Sequence, residues 1–252
     1  MLVDDATADS RSRRALTCSP VGLFARGASG HASGVTEQTH PTTPVTLSTP
    51  AVPAPTSATL ASAAPALQTV LVGPPASGKT TVGELLAAMT GRPFVDADAA
   101  SAGFYAEVGW SVERLAERAT EVGFAQAHGE WEVALAHAVE RLVETSPGAV
   151  VSLGVGHSHV RDDVLFARVA LALAAADQVV LLRPSADPAV ALEVLRQRCL
   201  ADKGTAWMVG DEDWLALWLT DGRDEAVTTH VVVTGDQTPQ ETAAAVAALG
   251  RR

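Results

Sequence analysis

The sequence predicts an α/β fold: a doubly wound, five-stranded parallel sheet flanked by helices, with a small lid. Three observations carry that prediction. From residue 68 onward, short β-branched apolar runs alternate with longer segments of helical period. The strand candidates are continuously apolar, as strands covered on both faces must be. A glycine-rich turn joins the first strand to the first helix, and sheets of this kind bind ligands beyond the carboxyl ends of their strands.

Residues 68–72 (QTVLV) read as the first strand, and residues 79–90 as a helix that Gly91 ends, because glycine accepts the left-handed backbone of a helix terminus. Residues 93–96 form a short second strand. Residues 111–122 and 124–145 are helical, with Ser111 as N-cap and Glu113 in the first turn. The third strand is 149–153, followed by a helix over 160–175. The fourth strand is 178–182, followed by a helix over about 187–201. Residues 202–213 are polar and contain glycine; this is the lid. A short Trp-rich helix follows at 214–219, then the fifth strand at 230–234 and a closing helix at 242–249.

The first 66 of the 252 residues are rich in Ser, Thr, Pro, Ala and Gly. Such a stretch cannot bury enough apolar surface to offset its ordering entropy, so it is expected to be disordered. Pro41, Pro44, Pro50, Pro53, Pro55 and Pro65 make its second half a semi-extended linker. The folded domain is therefore expected over 67–252. Net charge is −11, and the charges of residues 1–66 cancel: Arg11, Arg13, Arg14 and Arg26 against Asp4, Asp5, Asp9 and Glu37. An acidic domain repels nucleic acid and anionic membrane, which excludes both as partners. No apolar run approaches the roughly 20 residues that span a bilayer. The Arg13-Arg14 pair invites an export signal, but the segment after it lacks a continuous apolar region. Cys18 and Cys199 provide neither a disulfide framework nor metal spacing. The expectation is a cytoplasmic monomer.

Directly after the first strand stands Gly73-Pro74-Pro75-Ala76-Ser77-Gly78-Lys79-Thr80-Thr81. It fits the pattern G-x-x-x-x-G-K-[ST] in its strand-to-helix context, which marks the fold as a P-loop NTPase type. Backbone N–H groups of such a loop converge on phosphate oxygens, aided by the positive end of the helix dipole. Lys79 brings a point charge to the β- and γ-phosphates, and the Thr80 hydroxyl can ligate Mg²⁺. Only two lysines occur in the chain, Lys79 and Lys203, and one of them falls on the required position. The cofactors implied are ATP and Mg²⁺.

The second strand ends in Phe94-Val95-Asp96-Ala97-Asp98. Alternate residues of an extended chain point the same way, so Asp96 and Asp98 can both face the phosphates. One would orient Mg²⁺ and the other would accept a proton from an attacking hydroxyl. Read without the phosphate loop, they are helix-capping aspartates of a solvated loop.

With the blocks GPPASGKTTVGELLAAMTGRPFVDAD, GWSVERLAE, VVSLGVG and HVVVTGDQTPQETAAAV in this order, the chain resembles the shikimate kinase family of small P-loop metabolite kinases. The resemblance implies an ATP-dependent kinase that phosphorylates a hydroxyl of a small molecule. Lys79 and Asp98 would be catalytic, and Thr80 and Asp96 would hold the metal. Asp98, Gly154 and Gly156 would bind the substrate, and Arg196 or Arg198 would stack on the adenine. The chain departs from the family pattern in three places. No arginine occurs between Arg118 and Arg141, the family's triple glycine reads Gly154-Val155-Gly156, and Lys203 is the one cation of the lid. The acceptor is accordingly left open as a small hydroxyl compound. Gluconate and nucleotide kinases share the loop, and an ATP-binding regulatory module that has lost its acceptor site is the non-enzymatic alternative.

His157 and His159 follow the strand-three glycines and read as residues of a solvated loop, with pocket lining or metal ligation as alternatives. Trp214 and Trp218, four apart, share a helical face that packs a core, and the Asp211–Asp213 run caps their helix.

Overall fold

The computed structural model describes residues 67–250. The expected disordered extension over 1–66 lies outside the described residues. The main sheet has five parallel strands: β1 (Thr69–Val72), β2 (Phe94–Asp96), β3 (Val150–Ser152), β4 (Gln178–Arg183) and, last in the chain, the strand His230–Val233. Two short strands, β5 (Met208–Val209) and β6 (Glu212–Asp213), pair antiparallel ahead of it, which makes His230–Val233 β7. The spatial order is β2-β3-β1-β4-β7, with β1 central between β3 and β4. Each of the five sits within a residue or two of its predicted position.

The continuous apolar runs are explained by which face each residue serves. Val70, Val72, Val151, Val179 and Leu181 enter one core, while Leu71, Val150, Val180 and Leu182 enter the other. The period-2 alternation is intact, but both faces are covered, so neither set can be polar. One face is covered by α1 (Lys79–Thr90) and by the closing helix Pro239–Leu249. The other carries the long helix Phe124–Thr145 and its neighbours Val112–Val122 and Asp163–Leu173. Gly83 lets α1 approach β2 closely: a Cβ there would lie 2.6 Å from the Phe94 ring.

Local chemistry sets the helix ends. Gly91 closes α1 with a left-handed backbone (φ 67°), and Ser111 caps Val112–Val122 by accepting from Arg114 N. Asp187 caps the helix Pro188–Lys203, which begins on Pro188 where a missing N–H costs nothing. Thr238 and Glu241 form a reciprocal capping box on the closing helix.

The structure adds helices where no helical period stood out. After β2 come α2 (Ala97–Ala100) and α3 (Ala102–Glu107), and after β3 a single turn, Val155–Ser158. In chain order Val112–Val122 is α4, Phe124–Thr145 is α5 and Val155–Ser158 is α6. The helix expected from residue 160 starts at Asp163 as α7 (Asp163–Leu173), because Asp162 accepts from Val164 N and Leu165 N as its cap. Pro188–Lys203 is α8, Trp214–Thr220 is α9, Arg223–Val227 is α10 and Pro239–Leu249 is α11. Segments of four to six residues are too short for a period of 3.6 to declare itself.

A third apolar cluster lies under the lid. Phe124, Val155, Leu195, Trp207, Trp214 and Trp218 meet there, joining α5, the β3 turn, α8 and α9. The Trp214 and Trp218 rings stand edge to face at 5.6 Å, and both are buried, as their helical spacing predicted.

Leu86 is fully buried between α1 and the sheet, whereas Met89 on the same helix is 54% exposed. Leu86→Ala is expected to cost about 2–5 kcal/mol, and Met89→Ala within about 0.5 kcal/mol of nothing, in urea unfolding followed by circular dichroism.

Candidate active site

At the carboxyl ends of β1, β2 and β3 lies a cleft of about 510 Å³. The turn from Gly73 to Gly78 forms one wall. Gly73 (φ 137°), Ala76 (φ 58°) and Gly78 (φ 96°) hold left-handed backbone angles, and Ser77 N donates to Pro74 O at 3.3 Å. A Cβ on Gly73 would stand 2.5 Å from the Leu182 carbonyl oxygen of the adjacent strand, so glycine is obligatory there. Curled in this way, the loop places Pro75, Ala76, Gly78, Lys79, Thr80 and Thr81 on the cleft. Gly73, Pro74 and Ser77 build the loop from behind and do not line it.

Lys79 is buried, and its Nζ donates to Gly73 O at 2.7 Å and Pro74 O at 3.0 Å. Burial lowers its pKa to about 8, against the opposing charges of Asp224 and Asp98. The ammonium is thus held by two neutral carbonyls, an arrangement that an anion entering the loop would improve on.

Asp96 and Asp98 both reach the cleft, but not as alternating residues of one strand. The strand stops at Asp96, which caps α2: its Oδ1 accepts from Asp98 N at 3.0 Å. Oδ2 faces the loop, 3.5 Å from Thr80 Oγ1. The capping and the site-facing readings of these aspartates are therefore both correct for Asp96, one for each oxygen. Asp98 projects from the first turn of α2 over the end of β3. A Cβ on Gly154 would lie 2.0 Å from its Oδ1, so the carboxylate occupies the space that this glycine leaves. Gly156 is turned away: a Cβ there would meet Leu135 and His128 of α5 rather than the cleft.

The lid contributes Asp202, Lys203 and Trp207 to the cleft. Arg196 and Arg198 are not among its lining residues. Arg196 instead pairs with Asp213, whose other oxygen caps α9 through Ala216 N at 3.0 Å. The expectation that the acidic run caps this helix holds at Asp213.

The solvated-loop reading of His157 and His159 is overturned, because both are buried in the turn after β3. Tyr105 Oη is 2.8 Å from His157 Nε2. His159 is gripped by Asp221 (Nδ1 to Oδ2, 2.8 Å) and Asp224 (Nε2 to Oδ2, 3.1 Å). Burial alone would lower the His159 pKa, but the two carboxylates outweigh it and raise it to about 9. Asp224, which burial would push up, is held below its usual range by His159. His128 sits among Phe124 and Trp214 with Glu132 Oε1 3.8 Å from its Nδ1, beyond a hydrogen bond, and is lowered to about 4 by burial with Arg161 adding to the effect. The sequence offered a signal for none of these partners. Tyr105, Asp221 and Asp224 are 52, 62 and 65 positions from the histidines they hold.

Elsewhere in the domain, arginines are committed to partners away from the cleft. Arg118 pairs with Glu121 and Glu130, Arg168 with Glu140, and Arg223 with Asp163. Arg114 lies over the Trp110 ring and Arg161 over that of Trp214. Among the described residues, the charged side chains on the cleft are Lys79, Lys203, Asp96, Asp98 and Asp202. No helix of the described residues is long and apolar enough to cross a membrane.

A family model described as shikimate kinase matches residues 75–248. The shikimate kinase of Xanthomonas axonopodis pv. citri (strain 306) is 37% identical over 87 residues, and that of Symbiobacterium thermophilum is 38% identical over 85. Each match covers 34% of this chain and 47% of the relative, so the chain spans about half the length of the curated relatives it matches. The solved shikimate kinase of Acinetobacter baumannii in complex with shikimate aligns with a TM-score of 0.52 at 24% identity. That alignment covers 73% of this chain and 92% of the other, and it shows the fold.

Two of the buried histidines, His159 and His128, set opposite slopes of stability against pH. His159 has a folded pKa above the unfolded value near 6.5, so its contribution is complete below pH ~6.5 and is lost as pH rises through about 9. His128 has a folded pKa below that value, so stability falls as pH drops from ~6.5 toward 4. Stability in urea unfolding should therefore fall on both sides of neutral pH, the alkaline loss being read between pH ~6.5 and 8 because buried Lys79, with its pKa lowered to about 8, offsets it above that. His159→Gln should remove most of the alkaline slope, which is of the order of 2–3 kcal/mol; an unchanged slope would disprove the assignment.

Proposed function

The chain belongs to the shikimate kinase family, and from that premise we propose that it transfers the γ-phosphoryl group of ATP to a hydroxyl of a small metabolite. The observation that carries the reading is the convergence on one cleft of the phosphate loop, Lys79, the Thr80–Asp96 oxygen pair and the Asp98 carboxylate.

Each group has a part in the transfer. Loop N–H groups and the N-terminus of α1 receive the phosphate oxygens. Lys79 exchanges its two carbonyl partners for β- and γ-phosphate oxygens and stabilises the charge that develops there. Thr80 Oγ1 and Asp96 Oδ2 supply hard oxygen donors at one corner of the cleft. These two residues would hold Mg²⁺, whose charge would offset that of the phosphates. Asp98 holds the acceptor hydroxyl and takes its proton as the oxygen attacks phosphorus. The lid, about residues 202–213, closes over the γ-phosphate through Lys203 and excludes water.

Asp98, Gly154 and Val155 line the same cleft, and the reading places the acceptor beside them. A carboxylate placed there would face Asp98 with no guanidinium among the lining residues to hold it. This supports an uncharged hydroxyl compound over an acid such as shikimate.

ADP release with Mg²⁺ and ATP, measured over a panel of sugars, polyols and hydroxy acids, tests the proposal. One or more uncharged acceptors should raise release at least about tenfold above background, and shikimate should not. Lys79→Met should return the rate to background. Asp98→Asn should lower turnover by about 10²–10⁴-fold with ADP affinity retained. Background rates across the panel, with ADP still bound in calorimetry, would leave a nucleotide-binding module in place of a kinase.

Gly154→Ala gives an independent check. The added methyl displaces the Asp98 carboxylate and leaves the phosphate loop untouched, so turnover should drop while the KM for ATP stays within about twofold.

A further inference from the structure

Behind Asp98 stands a buried row of side chains that phosphoryl transfer as described does not use. His157 and Tyr105 are 1% and 4% exposed, and the tyrosine hydroxyl lies 2.8 Å from Nε2 of the imidazole. The other ring nitrogen, Nδ1, is 3.8 Å from Oδ1 of Asp98. Tyr105 is itself clamped: its ring centroid is 4.4 Å from that of Trp131, which meets Trp110 edge-on at 5.7 Å. The row thus runs from a rigid aromatic stack, through one hydrogen bond, to a half-exposed carboxylate on the cleft.

We infer that His157 is a positioning residue, which, held by Tyr105, presents an N–H to Asp98 and aims that carboxylate at the acceptor hydroxyl. The inference rests on the reading of Asp98 as the base. Two features of the chemistry fix the direction of the hydrogen bonds. Burial lowers the imidazole's pKa, opposed by Asp98 and by the backbone of Gly154 in the same turn, and raises that of the tyrosine, so His157 is neutral with a single N–H, shared between the Gly154 carbonyl side and Asp98, and Tyr105 keeps its proton. An ionised carboxylate only accepts. The proton therefore belongs on Nδ1, facing Asp98, and Tyr105 donates to the bare Nε2. The partner of one ring nitrogen sets the tautomer here as it does for metal-bound and catalytic histidines.

The gap of 3.8 Å exceeds a hydrogen bond, and such contacts tighten when a substrate fills the site. Gly154 leaves the room for it. The carboxylate already leans over that residue, three positions before His157 on the same turn, and a shift of under about 1 Å brings Oδ1 into hydrogen-bond range of Nδ1. His157 touches neither phosphate nor acceptor in this arrangement; it acts through Asp98.

The test is ADP release by the full chain at saturating Mg²⁺ and ATP with the acceptor that gives turnover in the panel above. His157→Leu removes both nitrogens and is expected to lower kcat by about 10–100-fold, with the KM for ATP unchanged. His157→Asn keeps an N–H near the Nδ1 position and should restore kcat to within about fivefold of the parent. Tyr105→Phe should lower kcat a few-fold, by releasing the ring. Melting temperatures tell folding from positioning. Equal losses in the Leu and Asn variants that track their melting temperatures would overturn the proposal in favour of a packing role, as would an unchanged kcat in His157→Leu. Should the Leu variant not fold, Tyr105→Phe decides, and a parent-like kcat there overturns the inference. A parent chain that turns over no acceptor would instead overturn the kinase reading, and the role of His157 with it.

Discussion

A buried ammonium group hydrogen-bonded to two backbone carbonyl oxygens is the feature on which the rest of this molecule depends. Lys79 reaches back under its own loop to Gly73 O and Pro74 O, and burial holds its pKa well below that of a free lysine. A charge in that position is tolerable only because the loop is tightly curled and several carboxylates stand within its field. The curl in turn needs the left-handed angles at Gly73, Ala76 and Gly78 and the close approach of Gly73 to strand β4. The sheet therefore serves the site directly, since β4 provides the surface against which the phosphate loop is moulded.

The same economy recurs at the second strand. Asp96 ends β2, caps α2 with one oxygen and turns the other toward Thr80. Two residues later, within the first turn of α2, Asp98 emerges over Gly154. Helix capping and site construction are a single event here, because the cap that starts α2 is what delivers the second carboxylate. The turn after β3 likewise does two things. Gly154 yields space to Asp98, and the residues that follow bury two histidines whose partners come from distant helices.

The three buried histidines, His128, His157 and His159, separate into contrasting environments. His159, between Asp221 and Asp224, is a buried cation that fastens α10 and the end of α9 to the β3 turn. His157 faces a tyrosine and the outer carboxylate and stays neutral. His128, packed on Phe124 and Trp214, is an uncharged member of the aromatic cluster beneath the lid. Identical side chains thus serve as ion-pair anchor, as part of the site's second layer and as core packing, and the local balance of desolvation against nearby charge decides which.

The sequence alone determined the sheet, the phosphate loop and the identity of its carboxylate neighbours. Each of these rests on local chemistry: apolar runs for strands, G-x-x-x-x-G-K-[ST] between a strand and a helix, and an aspartate at a strand end. It also placed Trp214 and Trp218 in a core and Asp213 at a cap. Only the tertiary structure decided what stands behind the site. The Tyr105–His157 contact, the Asp221 and Asp224 grip on His159, the commitment of Arg196 to Asp213 and the inward turn of Gly156 all join different segments of the chain. Whether an ionisable side chain is charged, neutral, exposed or paired depends on the dielectric and the partners around it, and those are set by packing between elements that local patterns cannot register.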